Sequence, residues 1–420
     1  MSVNLTTLPN GFRIVSEYMP GLQSAAVGVW VLAGARHEAA AENGIAHFLE
    51  HMAFKGTERR SALQIAEAIE DVGGYINAYT SREVTAYYAR VLQKDAPLAL
   101  DVLADILRAP VFDPREIEVE RGVILQEIGQ VLDTPDDIIF DWLQERAYPD
   151  HPLGRAILGE AARVRGFARG DLTGFVDRHY RPGAMILAAA GAVDHGALVR
   201  DAERYFGDMT GGDPGPVAAA RFAGGESRHV KPLEQAHFAL AFESPDYTDP
   251  RIHAAQIYAT ALGGSMSSRL FQEIRERRGL CYTIYAQAGA YSDTGMITIY
   301  AGTSAAQMPE LARITIDEMK RAADDISLAE LERGRAQMKA GLLMGLESPS
   351  SRAERLARML QIWGRVPPLE EVVEKIDAVS LRDLREVAER TIATAPAAMA
   401  LYGPVEAAPS LEALQERRAA

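Results

Sequence analysis

The strongest constraint on the fold is that the chain reads as two diverged copies of one pattern. Each copy opens with an apolar strand, at residues 26–31 in the first and 237–242 in the second, and each strand leads into a helix. Each copy continues with a pair of strands and a long amphipathic helix, at residues 96–108 and 308–322. Strand clusters followed by helix clusters predict an α+β fold in each half, in which helices pack on a sheet.

Composition indicates where the two halves join. The segment 211–228 contains the run Gly211-Gly212-Asp213-Pro214-Gly215-Pro216, which is typical of a linker. We therefore predict an N-terminal domain at 1–210 and a C-terminal domain at 229–420. The length of 420 residues agrees with two domains, because single hydrophobic cores usually stop growing at about 250–300 residues.

A short motif in the first half carries the chemistry, His47-Phe48-Leu49-Glu50-His51. On a helix, His47 and His51 lie four residues apart on one face, at roughly 5–6 Å between Cβ atoms, close enough to share a metal ion. A third protein ligand would leave one coordination position open for a water. Glu50, beside the two histidines, could then act as the general base. The motif predicts a zinc hydrolase.

The order of these residues, H-x-x-E-H, is that of the inverzincins, and it resembles the pitrilysin and insulysin family of zinc peptidases. The stretches 51–57 and 73–80 look like further signatures of that family. In the family the third ligand is a glutamate on a later helix, with another glutamate two turns before it. Here Glu127 lies 76 positions after His51, and Glu120 precedes it by seven residues. The resemblance implies one Zn²⁺ per chain on His47, His51 and Glu127, and it includes Glu120 in the catalytic set as the residue that orients a ligand.

The second half keeps only His253 at the place of the metal motif, so we expect the first half alone to bind metal. By resemblance, the strand around Asn77 and Ala78 is a sheet edge that receives the substrate. An extended peptide that adds to such an edge is bound through main-chain hydrogen bonds, which permits loose sequence preference. A simple strand-end polar group remains the alternative for Asn77.

A second constellation lies far along the chain, where a helix rich in Arg and Glu ends at Gly279 and an aromatic, β-branched run follows. Arg275 and Tyr282 match a pair with which family members hold the substrate and stabilise the charge on the attacked carbonyl. Both side chains are donors suited to a developing oxyanion. Outside the family context, Arg275 would instead read as a solvated salt-bridge partner.

The resemblance is closest to the short members of the family, typified by the catalytic β-subunit of the mitochondrial processing peptidase and its bacterial homologues. In short members two chains build the chamber that encloses the substrate, and the arginine and tyrosine face the metal from the opposite half. This implies that each chain is half of a clamshell, and that Arg275 and Tyr282 serve the zinc of another chain. A homodimer follows, because this chain carries both sets of residues, or a heterodimer with a related chain.

Charge and composition exclude other classes. The formal charge of −14, from 44 basic and 58 acidic side chains, argues against nucleic acid as a partner. Residues 113–137 hold eight acids against two arginines; these acids would attract basic peptides if they line a cavity, although a solvated helix face is the ordinary explanation. No apolar stretch reaches the roughly 18 residues that span a bilayer.

The N-terminal residues 1–12 have neither a basic region nor an apolar region typical of a secretion signal. The one cysteine, Cys281, excludes an intrachain disulfide, suits a reducing compartment and reads as a core thiol at a strand start. We therefore expect a cytoplasmic location, with the mitochondrial matrix, after loss of a transit peptide, as the alternative.

The function predicted from the sequence is a zinc-dependent metalloendopeptidase, with a processing peptidase as one form of it. One alternative is a non-catalytic scaffold subunit of the same fold, like the core proteins of the respiratory bc1 complex. A zinc hydrolase that acts on something other than peptides is a third possibility, which the substrate strand and the pair Arg275 and Tyr282 disfavour.

Overall fold

A computed structural model describes residues 3–212, 215–393 and 396–420. By their internal contacts these residues form two units. Unit 1 contains the described residues of Met1–Gly129, Arg155–Ala218 and Leu343–Val366, and unit 2 contains those of Gln130–Gly154, Ala219–Leu342 and Pro367–Ala420. Each unit combines one sheet with packed helices, so the predicted α+β class is confirmed.

The sheet of unit 1 has six strands in the order β1-β2-β6-β3-β5-β4, of which only the pair β2 and β6 is parallel. The strands are β1 (Val3–Thr7), β2 (Arg13–Tyr18), β3 (Ser24–Val31), β4 (Tyr75–Thr80), β5 (Thr85–Leu92) and β6 (Met185–Gly191). The strand predicted in the stretch 73–80 is therefore β4, and it lies at the edge of the sheet.

The sheet of unit 2 has five strands in the order β7-β11-β8-β10-β9, of which only β7 and β11 are parallel. The strands are β7 (Gly225–Val230), β8 (Ala236–Ser244), β9 (Cys281–Ala290), β10 (Gly295–Thr303) and β11 (Ala397–Gly403). When β1 is left out, the strands of unit 1 have the same order in the sheet and the same directions as those of unit 2. This shared topology is the structural form of the repeat that the sequence predicts.

Fifteen helices of the described residues surround the two sheets. Those assigned wholly or mainly to unit 1 are α1 (Ile45–Ala53), α2 (Ala62–Glu70), α3 (Ala96–Arg108), α4 (Pro114–Leu132), α6 (Ala161–Val164), α7 (Arg169–His179), α8 (His195–Phe206) and α12 (Pro349–Trp363). Those of unit 2 are α5 (Pro135–Ala147), α9 (Ile252–Gly263), α10 (Met308–Asp325), α11 (Leu328–Gly345), α13 (Leu369–Ala378), α14 (Leu381–Ala393) and α15 (Leu411–Ala419).

Each sheet is covered on both faces, and one covering helix comes from the other half of the chain. In unit 1, α1 and α3 pack on one face and α12 packs on the other, through Leu356 and Leu360. In unit 2, α5 packs on β8 and β11 through Ile139 and Leu143. Because both faces of the sheet are covered, all seven residues of β6 are buried. A strand in this position can be apolar throughout.

Each unit thus takes one helix from the other half of the chain, α12 in unit 1 and α5 in unit 2. The single boundary predicted at 211–228 does not describe this exchange. Residues 130–154 precede that boundary and belong to unit 2, whereas residues 343–366 follow it and belong to unit 1. The predicted linker also overlaps β7, which begins at Gly225. Two linker residues, Asp213 and Pro214, lie outside the described residues.

Two smaller expectations concern the membrane and the cysteine. Among the described residues, no helix has the length and apolar character needed to cross a bilayer. Cys281 is the first residue of β9, as predicted, and it is half-buried against the core of unit 2. Burial raises the pKa of its thiol to about 11, with Arg275 acting in the opposite direction, so this thiol is protonated and weakly reactive at neutral pH.

Candidate metal centre

The helix that carries the H-x-x-E-H motif is α1, and its start is fixed by a buried carboxylate. Glu38 accepts hydrogen bonds from the backbone N–H groups of Gly44 and Ala46, both at 2.9 Å, and from Asn43 Nδ2 at 3.0 Å. Burial raises the pKa of Glu38 to about 7, and these hydrogen bonds oppose the rise. Because the first N–H groups of a helix have no partner within it, Glu38 fixes the position of the motif.

Gly44 is required at this start by its backbone and by its neighbours. Its φ of 98° lies in the left-handed region, and a Cβ added there would lie 2.7 Å from the carbonyl oxygen of Leu158. The tight approach holds the loop before α1 against the segment around Leu158, so α1 is anchored at the end nearest His47.

Three donors converge between α1 and α4. The Nε2 atoms of His47 and His51 lie 3.6 Å and 3.7 Å from Oε2 of Glu127. Among the described residues, these three form the one group of His, Cys, Asp or Glu side chains whose ligand atoms all lie within 4.8 Å of one another. The sequence predicted the same three residues as metal ligands.

The geometry fits a tetrahedral zinc site. Bonds of about 2.0–2.2 Å in tetrahedral directions separate ligand atoms by roughly 3.3–3.6 Å, close to the two separations found here. Both are too long for hydrogen bonds, and Oε2 of Glu127 is a buried oxygen with no hydrogen-bond partner among the described residues. Because a buried carboxylate oxygen needs a partner, the site has the composition and the unsatisfied acceptor of a metal centre.

The protonation of His47 also suits a ligand. Burial, with a smaller contribution from the nearby His51, lowers the pKa of His47 to about 4. The imidazole is therefore neutral at pH 7 and has a lone pair to donate. Its Nδ1 atom is buried and has no hydrogen-bond partner in the described parts of the chain, so nothing from the protein orients this ring through its second nitrogen.

The second nitrogen of His51 is held by Glu120. The Nδ1 atom of His51 lies 2.9 Å from Oε2 of Glu120, and Oε1 of Glu120 lies 2.6 Å from Nζ of Lys55. An ionised carboxylate accepts only, so Nδ1 of His51 donates and Nε2 is left free toward Glu127. Glu120 is 4% exposed, and the Lys55 ammonium supplies the charge that a buried carboxylate needs.

Glu50 lies on the same helix, close to the donors without being one of them. Burial raises the pKa of its carboxyl group; hydrogen bonding to Thr80 and the charge of His51 lower it, and the charge of Glu127 adds to the rise. A raised pKa brings a carboxylate closer to the range in which it takes and returns protons near neutral pH.

The edge strand β4 places Asn77 and Ala78 on opposite faces of the sheet. Ala78 belongs to the core that α1 covers, whereas Asn77 is exposed. The Oδ1 atom of Asn77 accepts a hydrogen bond from the N–H of Ala78 at 2.9 Å. Beyond β4 no further strand of unit 1 is paired among the described residues, so this edge is free to accept another strand.

Arg275 and Tyr282 belong to unit 2 and lie against each other. The Arg275 guanidinium carbon is 5.1 Å from the centre of the Tyr282 ring and 4.5 Å from that of Phe271, and Tyr282 is 80% exposed. Arg275 lies in a π-helical segment, Phe271–Glu276, rather than in the regular α-helix that the sequence predicts. Such segments occur often at functional sites. The catalytic role of this pair stays a prediction.

Weakening the support of His51 is expected to loosen zinc. We expect Glu120→Gln to lower zinc affinity about 10- to 100-fold, because the residues that hold a ligating histidine typically contribute this much. Lys55→Met is expected to act in the same direction with a smaller effect, and competition with a chromogenic chelator measures both. The matched control is Lys94→Met, which removes an exposed lysine. Parent-like zinc affinity in Glu120→Gln would contradict the role of this contact.

Sequence reasoning missed several residues that shape the site. Lys55 was part of a family signature, and its position four residues after His51 was a signal that it lies on the same side. Thr80 and Glu38 gave no comparable signal, because their contacts depend on how β4 and the loop before α1 fold back on the helix.

Comparison with known proteins gives consistent matches along the chain. The model of the family described as Insulinase (Peptidase family M16) matches residues 13–161, and the model described as Peptidase M16 inactive domain matches residues 166–338. The first match contains all of the donors described above. The second covers much of the half in which the sequence keeps only His253.

Individual relatives agree with the family models. A protein of Rickettsia bellii named an uncharacterized zinc protease is 39% identical over 402 residues, which cover 96% of this chain and 97% of that protein. A probable β-subunit of the mitochondrial-processing peptidase from Arabidopsis thaliana is 38% identical, over 98% of this chain and 80% of its own length. The crystal structure of a protease from Helicobacter pylori has the same fold, with a TM-score of 0.88 at 22% identity, over 96% of this chain and 99% of that one.

Proposed function

The chain belongs to the M16 family of zinc peptidases, and from this premise we propose that it is a zinc-dependent endopeptidase that binds peptides or unfolded segments as an added strand. One observation carries the proposal: Oε2 of Glu127 is buried, has no hydrogen-bond partner among the described residues, and lies 3.6 Å and 3.7 Å from the Nε2 atoms of two histidines. His47, His51 and Glu127 would hold the ion. Zinc at this position would supply Lewis acidity to the scissile carbonyl and to the attacking water.

The protein's own groups provide the proton transfers. Glu50 takes the proton of the attacking water and later returns it to the leaving amine, a task that suits a carboxylate whose pKa burial has raised. Glu120 and Lys55 hold His51 in the tautomer that leaves Nε2 free. Catalysis therefore depends on the relative positions of α1 and α4, which together carry all of these side chains except Lys55.

Substrate position follows from the free edge of β4. When a peptide pairs with this edge, the Ala78 N–H exchanges its hydrogen bond to Asn77 for one to the peptide backbone. Its backbone would extend the sheet, and alternate side chains would point to the face that α1 covers. Main-chain binding of this kind suits unfolded segments better than folded proteins.

The test is digestion of an unstructured, arginine-containing peptide by the purified protein, with the products read by mass spectrometry. We expect cleavage that o-phenanthroline abolishes and added zinc restores. One dominant product would indicate processing, and a ladder would indicate degradation. No cleavage by protein that contains its zinc would contradict the proposal and favour the scaffold alternative.

The proposal includes a second chain. We place Arg275 and Tyr282 of one protomer at the zinc of its partner, where they would bind the substrate and stabilise the developing oxyanion. A homodimer would then contain two sites, each completed by both chains.

Mixing two inactive variants tests this arrangement. Glu50→Gln and Arg275→Ala are each expected to be nearly inactive alone. After dissociation and reassociation at equal amounts, half of the dimers should be mixed and have one intact site, which restores about a quarter of parent activity. Glu50→Gln mixed with His51→Ala is the control, because both changes affect the same chain's metal site. No recovery in the first mixture would show that the pair does not act across chains.

A further inference from the structure

A cavity of about 420 Å³ lies in unit 1 on the face of the sheet opposite α1. Its walls are the rings of Trp30, Tyr79 and Tyr88 on the sheet side, with Ser350 and Glu354 on α12 opposite them. The volume lies within the range of ligand pockets in general. None of the donors described above lines it, so the cavity is separate from the metal centre.

Glycine forms part of the reason that this space exists. Gly28 pairs with Tyr88 across β3 and β5, and a Cβ added at Gly28 would lie 2.8 Å from both the Trp30 and Tyr88 side chains. Any larger residue there would push the aromatic walls apart or into the cavity. Ala26, which lines the cavity, is also small.

The register of the sheet connects the cavity to the edge that would receive substrate. Tyr79 and Trp30 both pair with Ala86, and Asn77 pairs with Tyr88. Residues paired directly across strands share a face, so Asn77 and Tyr79 lie on the cavity side of β4. A peptide added to β4 would alternate in the same way. Every second side chain would therefore point to the α12 face, beside Tyr79.

The polar groups of the cavity favour a cation. The Tyr79 hydroxyl accepts from Nε1 of Trp30 at 3.2 Å and donates to Oε1 of Glu354 at 3.4 Å. Burial, with a smaller contribution from the charge of Glu354, raises the pKa of Tyr79 to about 12, so the hydroxyl remains a donor. Glu354 is exposed, and the 3.4 Å contact leaves its carboxylate free to accept from another group.

One more acceptor is buried beside the carboxylate. The hydroxyl of Ser350 is a buried atom without a hydrogen-bond partner among the residues that the structure describes. Of the nearby cations, Arg352 pairs with Glu17 at 2.6 Å and Arg90 lies over the Tyr75 ring. Arg355 and Arg358 on α12 also have interactions of their own. Aromatic rings on one wall, with a carboxylate and a hydroxyl on the other, suit a long side chain that has an apolar stem and a cationic head.

We infer that this cavity is a subsite for an arginine or lysine side chain of a peptide bound along β4, with Glu354 as the residue that selects the charge. The inference rests on the proposed function, since it needs a peptide on that edge. It gives the enzyme a preference for a basic residue whose side chain points to the face of β4 opposite the metal. Helix α12, which comes from the other half of the chain, is thereby assigned to substrate selection.

An arginine scan tests the subsite. A single arginine is moved one residue at a time through an otherwise neutral, fluorescently labelled peptide, and a second series carries norleucine at the same positions. The dissociation constants are measured by anisotropy on zinc-loaded Glu50→Gln protein, with and without Glu354→Gln. We expect Glu354→Gln to reduce the preference for arginine over norleucine about 3- to 10-fold, the range for a partly exposed ion pair with aromatic contacts.

Glu347→Gln is the matched control, since it removes an exposed carboxylate just before α12 that does not line the cavity. Equal effects of the two variants would overturn the subsite and indicate general charge attraction. Parent protein that cleaves peptides without any arginine preference would overturn it alone and leave the proposed function standing. If the parent neither binds nor cleaves any peptide, the proposed function fails and the subsite falls with it.

Discussion

Glu50→Gln is expected to lower kcat about 10²- to 10⁴-fold, the range that a positioned general base contributes, while the protein keeps its zinc. Glutamine has the shape of glutamate and retains an acceptor oxygen, but it cannot take a proton from water at neutral pH. Glu50 is not among the three convergent donors, so the metal should remain. Kinetics on a peptide substrate, together with zinc analysis of the same sample, measures both quantities.

The control for this variant is Glu67→Gln, an exposed carboxylate on α2 in the same unit. It should leave kcat and zinc content at the parent values. Full activity of Glu50→Gln would show that another group is the base. Loss of zinc along with activity would show instead that Glu50 is needed to hold the ion.

Glu127→Ala and His51→Ala are each expected to remove both zinc and activity. Each leaves two of the three protein donors, and ligands of one ion act as a unit, so the two losses should be similar and not additive. The fold should survive, because the adjoining core is built from apolar residues such as Phe48, Leu49 and Ile124. Zinc content after dialysis, activity and circular dichroism are the measurements.

Glu118→Ala is the control on the same helix, because Glu118 is exposed and pairs only with Arg121 among the described residues. It should bind one zinc ion and keep its activity. If Glu127→Ala retained tightly bound zinc, the third ligand would have to be another group. If the variants unfolded, their loss of zinc would say nothing about coordination, and a chelator titration of the parent would decide.

The parts of the fold that depend on local pattern could be predicted from the sequence. The helix at 96–108 has those bounds in the structure, and the strand in 73–80 is β4. The exchange of α5 and α12 could not be predicted, because the amphipathic pattern of a helix shows that it packs on something without showing which sheet. The π-helical segment that carries Arg275 was missed for a related reason: its glutamates and arginines are ordinary residues of an α-helix.

The residues of the site also divide into those that the sequence predicts and those that it does not. His47 and His51 follow from helical spacing, and Glu127 came from a resemblance. The structure brings the ligand atoms of these three residues within 4.8 Å of one another. The bond between Lys55 and Glu120 and the hold of Glu38 on α1 depend on side chains that meet only after folding. The role of Asn77, the second chain and the cytoplasmic location stay predictions.

The most direct test of the central claim is to titrate zinc into metal-free protein while peptide cleavage is followed. We expect no cleavage without metal and a linear rise to a plateau at about one ion per chain, the capacity of a single three-ligand site. Glu127→Ala should show no such rise. Full cleavage by metal-free protein, or activity that Glu127→Ala regains at the same zinc level, would contradict a zinc peptidase centred on His47, His51 and Glu127.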